Sequence, residues 1–141
     1  MKLKIDICQK LKEKIFEHYY DFIKYKLIPD ISIGDESFYI NCNEKNLNIF
    51  FEDILNFYFK YGKFNLKVTS SFNDTSCKII FNAPFISSNI NDTIYNNKIN
   101  YDFNCNKKYI SENKLNDFCC NMQIVINDKF ITITLLYNNF H

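Results

Sequence analysis

Asn43-Glu44-Lys45-Asn46-Leu47-Asn48-Ile49-Phe50-Phe51-Glu52-Asp53-Ile54-Leu55-Asn56-Phe57-Tyr58-Phe59-Lys60-Tyr61-Gly62 is the stretch that sets the architecture. Leu47, Phe50, Phe51, Ile54, Leu55, Tyr58 and Tyr61 recur at steps of three and four, so on a helix they merge into one wide apolar stripe. Asn43 carries the side-chain acceptor an N-cap needs, and Gly62 supplies the stop. A stripe that wide requires a broad apolar surface, and the next residues provide it. Phe64, Leu66 and Val68 alternate with polar residues, Asn73-Asp74 turns the chain, and Cys77 to Phe81 returns as the hairpin partner.

Upstream, Ile7, Leu11, Ile15, Tyr19 and Phe22 fall at helical spacing, which predicts an amphipathic helix from about Lys2 to Leu27 ended by Pro29-Asp30. Phe38-Tyr39-Ile40 alternates and predicts a short strand. Downstream, Pro84 opens an irregular stretch reaching about Tyr109, a length that suits a lid or binding loop. Ser111 caps a predicted short helix holding Leu115, Phe118 and Cys119. Met122 to Ile126, a turn at Asn127-Asp128, and Phe130 to Leu136 form a second hairpin. The whole is an α+β protein: a two-layer sandwich whose mostly antiparallel sheet is covered on one face by helices. It divides into an N-terminal helix over 1–28 and one domain over 31–141. The helix stripe is wide enough for more than one neighbour, which predicts a homodimer seam.

Composition narrows the function classes. The chain has 141 residues, 47% hydrophobic and 23% charged, which suits one compact domain with a real core. Its 17 cations are all lysines against 16 acids, a net charge of +1. Without a guanidinium fork or a basic field, nucleic acid is excluded as a partner. No run of about 18 apolar residues exists to span a membrane, and Met1 to Ile7 lacks the apolar core of a signal peptide, so a cytoplasmic protein is expected. The six cysteines show no C-x-x-C pairing, which argues for reduced, apolar-behaving thiols and no metal site.

Asp53-Ile54-Leu55-Asn56-Phe57-Tyr58-Phe59-Lys60-Tyr61 resembles the N-box of the histidine-kinase ATP-binding domain (the GHKL or Bergerat fold), whose pattern is asparagine-Leu-Leu-x-asparagine-Ala-Ile-Lys-Tyr. Leu66-Lys67-Val68-Thr69 and Lys78-Ile79-Ile80-Phe81 fall where that family has its central hairpin, and Leu115 to Tyr137 where it has its last helix and closing strands. The departures fall on the nucleotide-binding positions. The magnesium-holding asparagine becomes Phe57 and the leading asparagine becomes Asp53. Asn82-Ala83-Pro84-Phe85 stands in place of Asp-x-Gly-x-Gly, and only Gly34 and Gly62 exist to serve any glycine box. Side chains there block the close backbone approach phosphate needs, so no nucleotide cofactor and no ATPase or kinase activity is expected. Lys114 to Ile126 looks like the ChpT type of histidine phosphotransferase. That resemblance implies a degenerate kinase-like domain that docks a response-regulator receiver domain or a histidine kinase, with a phosphoryl group passing through a helical histidine.

His18 is the one internal histidine and the sole candidate phosphoacceptor, with Glu17 and Asp21 in reach by spacing. The family's histidine is followed by an acidic residue, whereas Tyr19 follows here, and His18 shares a helix side with Leu11, Ile15 and Phe22. The competing reading is a packed or interface histidine. Phe50, Phe51, Tyr58 and Tyr61 read as core and not as a stacking platform. Asp35, Glu36, Glu44, Glu52 and Asp53 read as a solvated edge. Two function classes stand: a phosphorelay adaptor, or a non-catalytic interaction or effector module with no phosphorelay connection.

Overall fold

A computed structural model describes residues 2–85, 93–95, 100–102, 109–115, 120–126 and 129–138. The elements in chain order are β1 (Leu3–Asp6), α1 (Ile7–Glu17), α2 (Tyr19–Lys24), β2 (Leu27–Ser32), β3 (Tyr39–Cys42), α3 (Glu44–Tyr61), β4 (Phe64–Phe72), β5 (Ser76–Pro84), β6 (Thr93–Tyr95), β7 (Asn100–Asp102), β8 (Tyr109–Leu115), β9 (Cys120–Ile126) and β10 (Phe130–Asn138).

The helix that decides the architecture forms as its spacing predicts. The Asn43 side chain accepts from the Asn46 amide at 3.1 Å, and every residue of the predicted stripe is buried, together with Phe57 and Phe59. Gly62 ends α3 for a different reason from the one expected. Its φ is −73°, an ordinary value, but a Cβ there would meet the Tyr58 carbonyl oxygen at 2.8 Å. Closeness, not left-handed backbone, demands the glycine.

Beneath α3 lies a six-stranded sheet in the order β2-β4-β5-β10-β9-β8, antiparallel throughout except where β2 runs parallel to β4. Register aligns the pleat across the sheet. Val68, Phe81, Ile133 and Ile124 form one buried row, while Thr69, Ile80, Thr134 and Gln123 form the next row on the opposite face. One face is therefore apolar under the helices and the other is semi-polar, as a two-layer sandwich requires. The Tyr58 hydroxyl reaches down from α3 and shares its one proton between the carbonyls of Phe81 and Ile131, at 3.1 and 3.0 Å. A second, two-stranded sheet pairs β1 with β3, and β6 pairs with β7.

Two expectations are corrected. The single helix over 2–27 is instead strand, helix, helix and strand. Leu3 to Asp6 is drawn into pairing by Tyr39–Cys42, and Asp6 becomes the N-cap of α1, accepting from the Cys8 amide at 3.2 Å. At His18 the helix breaks, and Lys26 takes a φ of 55° that turns the chain into β2. Pro29 does not end a helix but sits in that strand, where an edge position tolerates its missing N–H. Ile7, Cys8, Leu11, Ile15 and Phe22 join the same core as the sheet residues. Likewise, the stretch from Ser111 to Leu115 is not helical. It lies in β8, pairing Ser111 with Ile124 and Leu115 with Cys120, because an otherwise open edge of β9 outweighs local capping. Phe118 and Cys119 of that predicted helix lie outside the described residues. Within the long irregular stretch, the β6–β7 hairpin is described, and most of the remainder falls outside the described residues.

Candidate functional site

Two regions carry the sequence-predicted site residues. The first is the α1–α2 elbow. His18 fills the break: its N–H is shared between the Lys14 and Ile15 carbonyls, and its own carbonyl accepts the Phe22 amide at 3.1 Å. The imidazole Nδ1 lies 2.8 Å from Asp21 Oδ2, and 16% of the side chain is exposed. Its ring leans on Phe59 of α3 at 5.8 Å, and Phe59 is held in turn by Phe22 edge-on at 4.8 Å and Tyr25 stacked at 5.4 Å. In the neutral imidazole, donation from Nδ1 to the carboxylate leaves the lone pair on Nε2, and that form can act as a nucleophile or a base.

Of the two carboxylates predicted beside His18, only Asp21 bonds it. Glu17 bonds instead to Lys14 at 3.1 Å, and Lys14 reaches across to Glu52 of α3 at 2.9 Å. Burial works against the Lys14 ammonium, but the carboxylates of Glu52 and Glu17 outweigh it and hold its pKa above the usual lysine range. Lys10 takes Glu44 at 2.8 Å and Lys12 takes Asp35 at 3.5 Å. Asp35, Glu44 and Glu52 of this edge are thus each matched to a lysine, and no group of three or more metal-ligating side chains occurs among the described residues.

The second region is the face of α3 that carries the N-box-like stretch. Phe57, at the position matched to the magnesium-holding asparagine, is 3% exposed and packs on Tyr58 at 5.5 Å and Tyr61 at 5.3 Å. Asp53 is half-buried, and burial, aided by the neighbouring Glu52 charge, pushes its carboxyl above the ordinary range. The stretch matched to the first glycine box is regular strand. Asn82, Ala83 and Pro84 pair with Thr132, Ile131 and Phe130, and the Asn82 amide donates to Thr132 Oγ1 at 2.8 Å. Phe85 follows into the core and bridges Gly62. Where the resemblance expects a backbone cradle, the described residues place packed rings and a paired strand.

Two features escaped sequence reading. A cleft of about 420 Å³ lies between β3 and the β4–β5 turn, lined by Lys4, Glu36, Tyr39, Asn41, Asn73 and Asp74. Its walls come from segments too far apart in sequence to signal one another. The elbow also exposes large apolar side chains, Phe16 at 80% and Tyr20 at 82%, with Tyr19 and Ile23 beside them. Part of the helical periodicity read as a buried stripe therefore faces outward. No helix among the described residues is long and apolar enough to cross a membrane.

No family model matches the sequence, and no curated protein matches it. Solved structures do. The histidine kinase AdeS of Acinetobacter baumannii superposes with a TM-score of 0.62 at 10% identity over 100% of this chain and 68% of that one. The nucleotide-free catalytic domain of histidine kinase ThkA gives 0.63 at 8% identity, covering 99% of this chain and 97% of the domain. ThkA in complex with the response regulator TrrA gives 0.65 at 9% identity, and there this chain spans 42% of the kinase. At such identities the likeness is one of fold: the α+β sandwich is that of histidine-kinase catalytic domains.

Proposed function

We propose that this chain is a kinase-fold docking protein of two-component signalling. In this reading its nucleotide face is closed, and it binds a response-regulator receiver domain or a histidine kinase in the cytoplasm, as the ChpT-type resemblance implies. The observation that carries the reading is Phe57: a buried aromatic ring occupies the matched magnesium position of a domain that otherwise keeps the kinase fold. The ThkA complex with TrrA shows that a protein of this fold meets a response regulator in that pair, and it guides the choice of partner here.

His18 is the residue through which a relay would pass. Its Nε2 attacks the phosphorus of a receiver's aspartyl phosphate, the phosphorus–oxygen bond to the carboxylate breaks, and Asp21 holds the imidazole in orientation. A second reading, an interaction module without transfer, draws on the packing of the same ring against Phe59 and its small exposed fraction. Titrating receiver domains into the full chain separates the readings. Micromolar binding with radiolabel transferred to wild type and lost in His18→Gln supports the relay. Binding without label supports docking alone, and no binding to any receiver or kinase removes both in favour of an effector module. Melting with magnesium and ATP is expected to leave Tm unchanged, and a saturable rise in Tm would reopen the nucleotide face.

The same reading includes self-association through the α1–α2 elbow. Aromatic side chains as exposed as Phe16, Tyr19 and Tyr20, with Ile23, offer several hundred Å² per copy, a large part of the roughly 800 Å² per partner of a standard interface. The rim carries both signs, Glu17 and Asp21 against Lys24 and Lys26, which a two-fold contact between identical surfaces can pair.

A further inference from the structure

Cys8 of α1 and Cys77 of β5 stand 69 residues apart in sequence, yet their sulfur atoms lie 3.8 Å apart in the core. Both are buried thiols, as are Cys42 and Cys120. We infer that Cys8 and Cys77 form a dithiol modification site that a peroxide-class oxidant converts to a disulfide, stapling α1 to the central sheet.

Three observations lead there. First, the two sulfurs are already at van der Waals contact and have about 1.8 Å to close to reach the S–S bonding distance of about 2.05 Å. Second, the pair is chemically asymmetric. The Cys77 thiol bonded to it holds the Cys8 pKa down, against burial and the Asp6 carboxylate, whereas the Cys77 pKa is pushed up by that same contact and by burial. Cys8 is thus the attacking thiolate and Cys77 the resolving thiol. Third, both cysteines stand next to the ends of sheet elements. Cys8 follows β1, which forms four register pairs with β3 in a two-stranded sheet, and Cys77 occupies the first rung after the β4–β5 turn, opposite Phe72. Small sheets and sheet ends open at low cost, which admits a molecule as small as hydrogen peroxide.

The chemistry balances with hydrogen peroxide as oxidant. The Cys8 thiolate attacks one peroxide oxygen, the O–O bond breaks, and the leaving hydroxide takes a proton to become water. Cys77, giving up its proton, attacks the resulting sulfenic sulfur. The S–O bond breaks, a second water leaves, and the S–S bond forms. Each sulfur is oxidised by one electron and the peroxide is reduced by two.

The test uses the full, folded, reduced chain treated with hydrogen peroxide. The expected result is a loss of two hydrogen masses from the intact protein and a peptide joining Cys8 to Cys77 in a non-reducing digest. A rise in Tm of about 5 °C or more, reversed by dithiothreitol, should accompany it, since the cross-link closes a long loop. In Cys77→Ala the loss of two hydrogen masses should disappear. If that variant does not fold, the wild-type digest decides alone. Cys8 and Cys77 both still alkylating after peroxide treatment, or Cys8 joined to any other cysteine, would overturn the inference.

Discussion

Phe57 concentrates the residue-scale question, because one ring serves both packing and, in the functional reading, exclusion of nucleotide. At 3% exposure it makes aromatic contacts to Tyr58 and Tyr61 that an asparagine cannot replace. Phe57→Asn should therefore cost about 3 kcal/mol by chemical denaturation, the range of a large buried side chain exchanged for a small polar one. It should still give no nucleotide-induced shift in Tm, because the glycine cradle is missing as well. A restored shift would mean that Phe57 alone closes the site. Asp53, one turn earlier, gives a pH test. Burial raises its folded pKa above the unfolded value of 3.8, so folding disfavours the charged carboxylate relative to the unfolded chain. Stability is then greatest below the unfolded pKa and declines as pH rises through the folded pKa. Asp53→Asn keeps the shape and stays neutral, so it should be more stable than wild type at neutral pH, with the gap closing in acid. A gap that is independent of pH would assign the effect to something other than ionisation.

Among the elements, the first 32 residues show where sequence reading ran out. Helix α3 was legible because its period holds over many residues, and both hairpins were legible because alternation and turn residues agree. β1 carries too few residues for alternation to show, and it becomes a strand because β3 offers a distant partner, pairing Leu3 with Cys42 through to Asp6 with Tyr39. β2 has no alternation at all, with Leu27 buried and Ile28 to Ser32 exposed, since it lies at an edge. The site shows the same limit. His18 was legible as the sole internal histidine, but its choice of Asp21 over Glu17 follows from the helix break and from Lys14 drawing Glu17 away. The dithiol and the exposed elbow needed the tertiary fold to become visible. The joint between α2 and β2 can be tested directly. Lys26 takes a φ of 55°, costly for a residue with a Cβ. Lys26→Gly should stabilise the protein by about 1 kcal/mol, less the added unfolded-state freedom of glycine. A loss of stability instead would mean that the lysine side chain, not the backbone, holds the joint.

For the whole molecule, the two faces of α1 and α2 must be reconciled. Ile7, Cys8, Leu11, Ile15 and Phe22 are committed to the core, so any partner can use only what remains outside it. What remains is Phe16, Tyr19, Tyr20 and Ile23, an apolar group larger than scattered surface residues require an explanation for. Phe16 and Tyr20 are about four-fifths exposed, so charging these two should separate association from folding. Phe16→Glu combined with Tyr20→Glu places like charges across the two-fold contact and removes its central rings. Sedimentation should show wild type as a dimer and the double variant as a monomer with its unfolding midpoint, measured at low concentration, within about 0.5 kcal/mol of wild type. A wild-type chain that stays monomeric at high micromolar concentration removes the two-fold contact and leaves the elbow to a different protein. The receiver titration repeated on the double variant then locates that protein: lost binding places it on the elbow, and intact binding places it elsewhere on the sandwich.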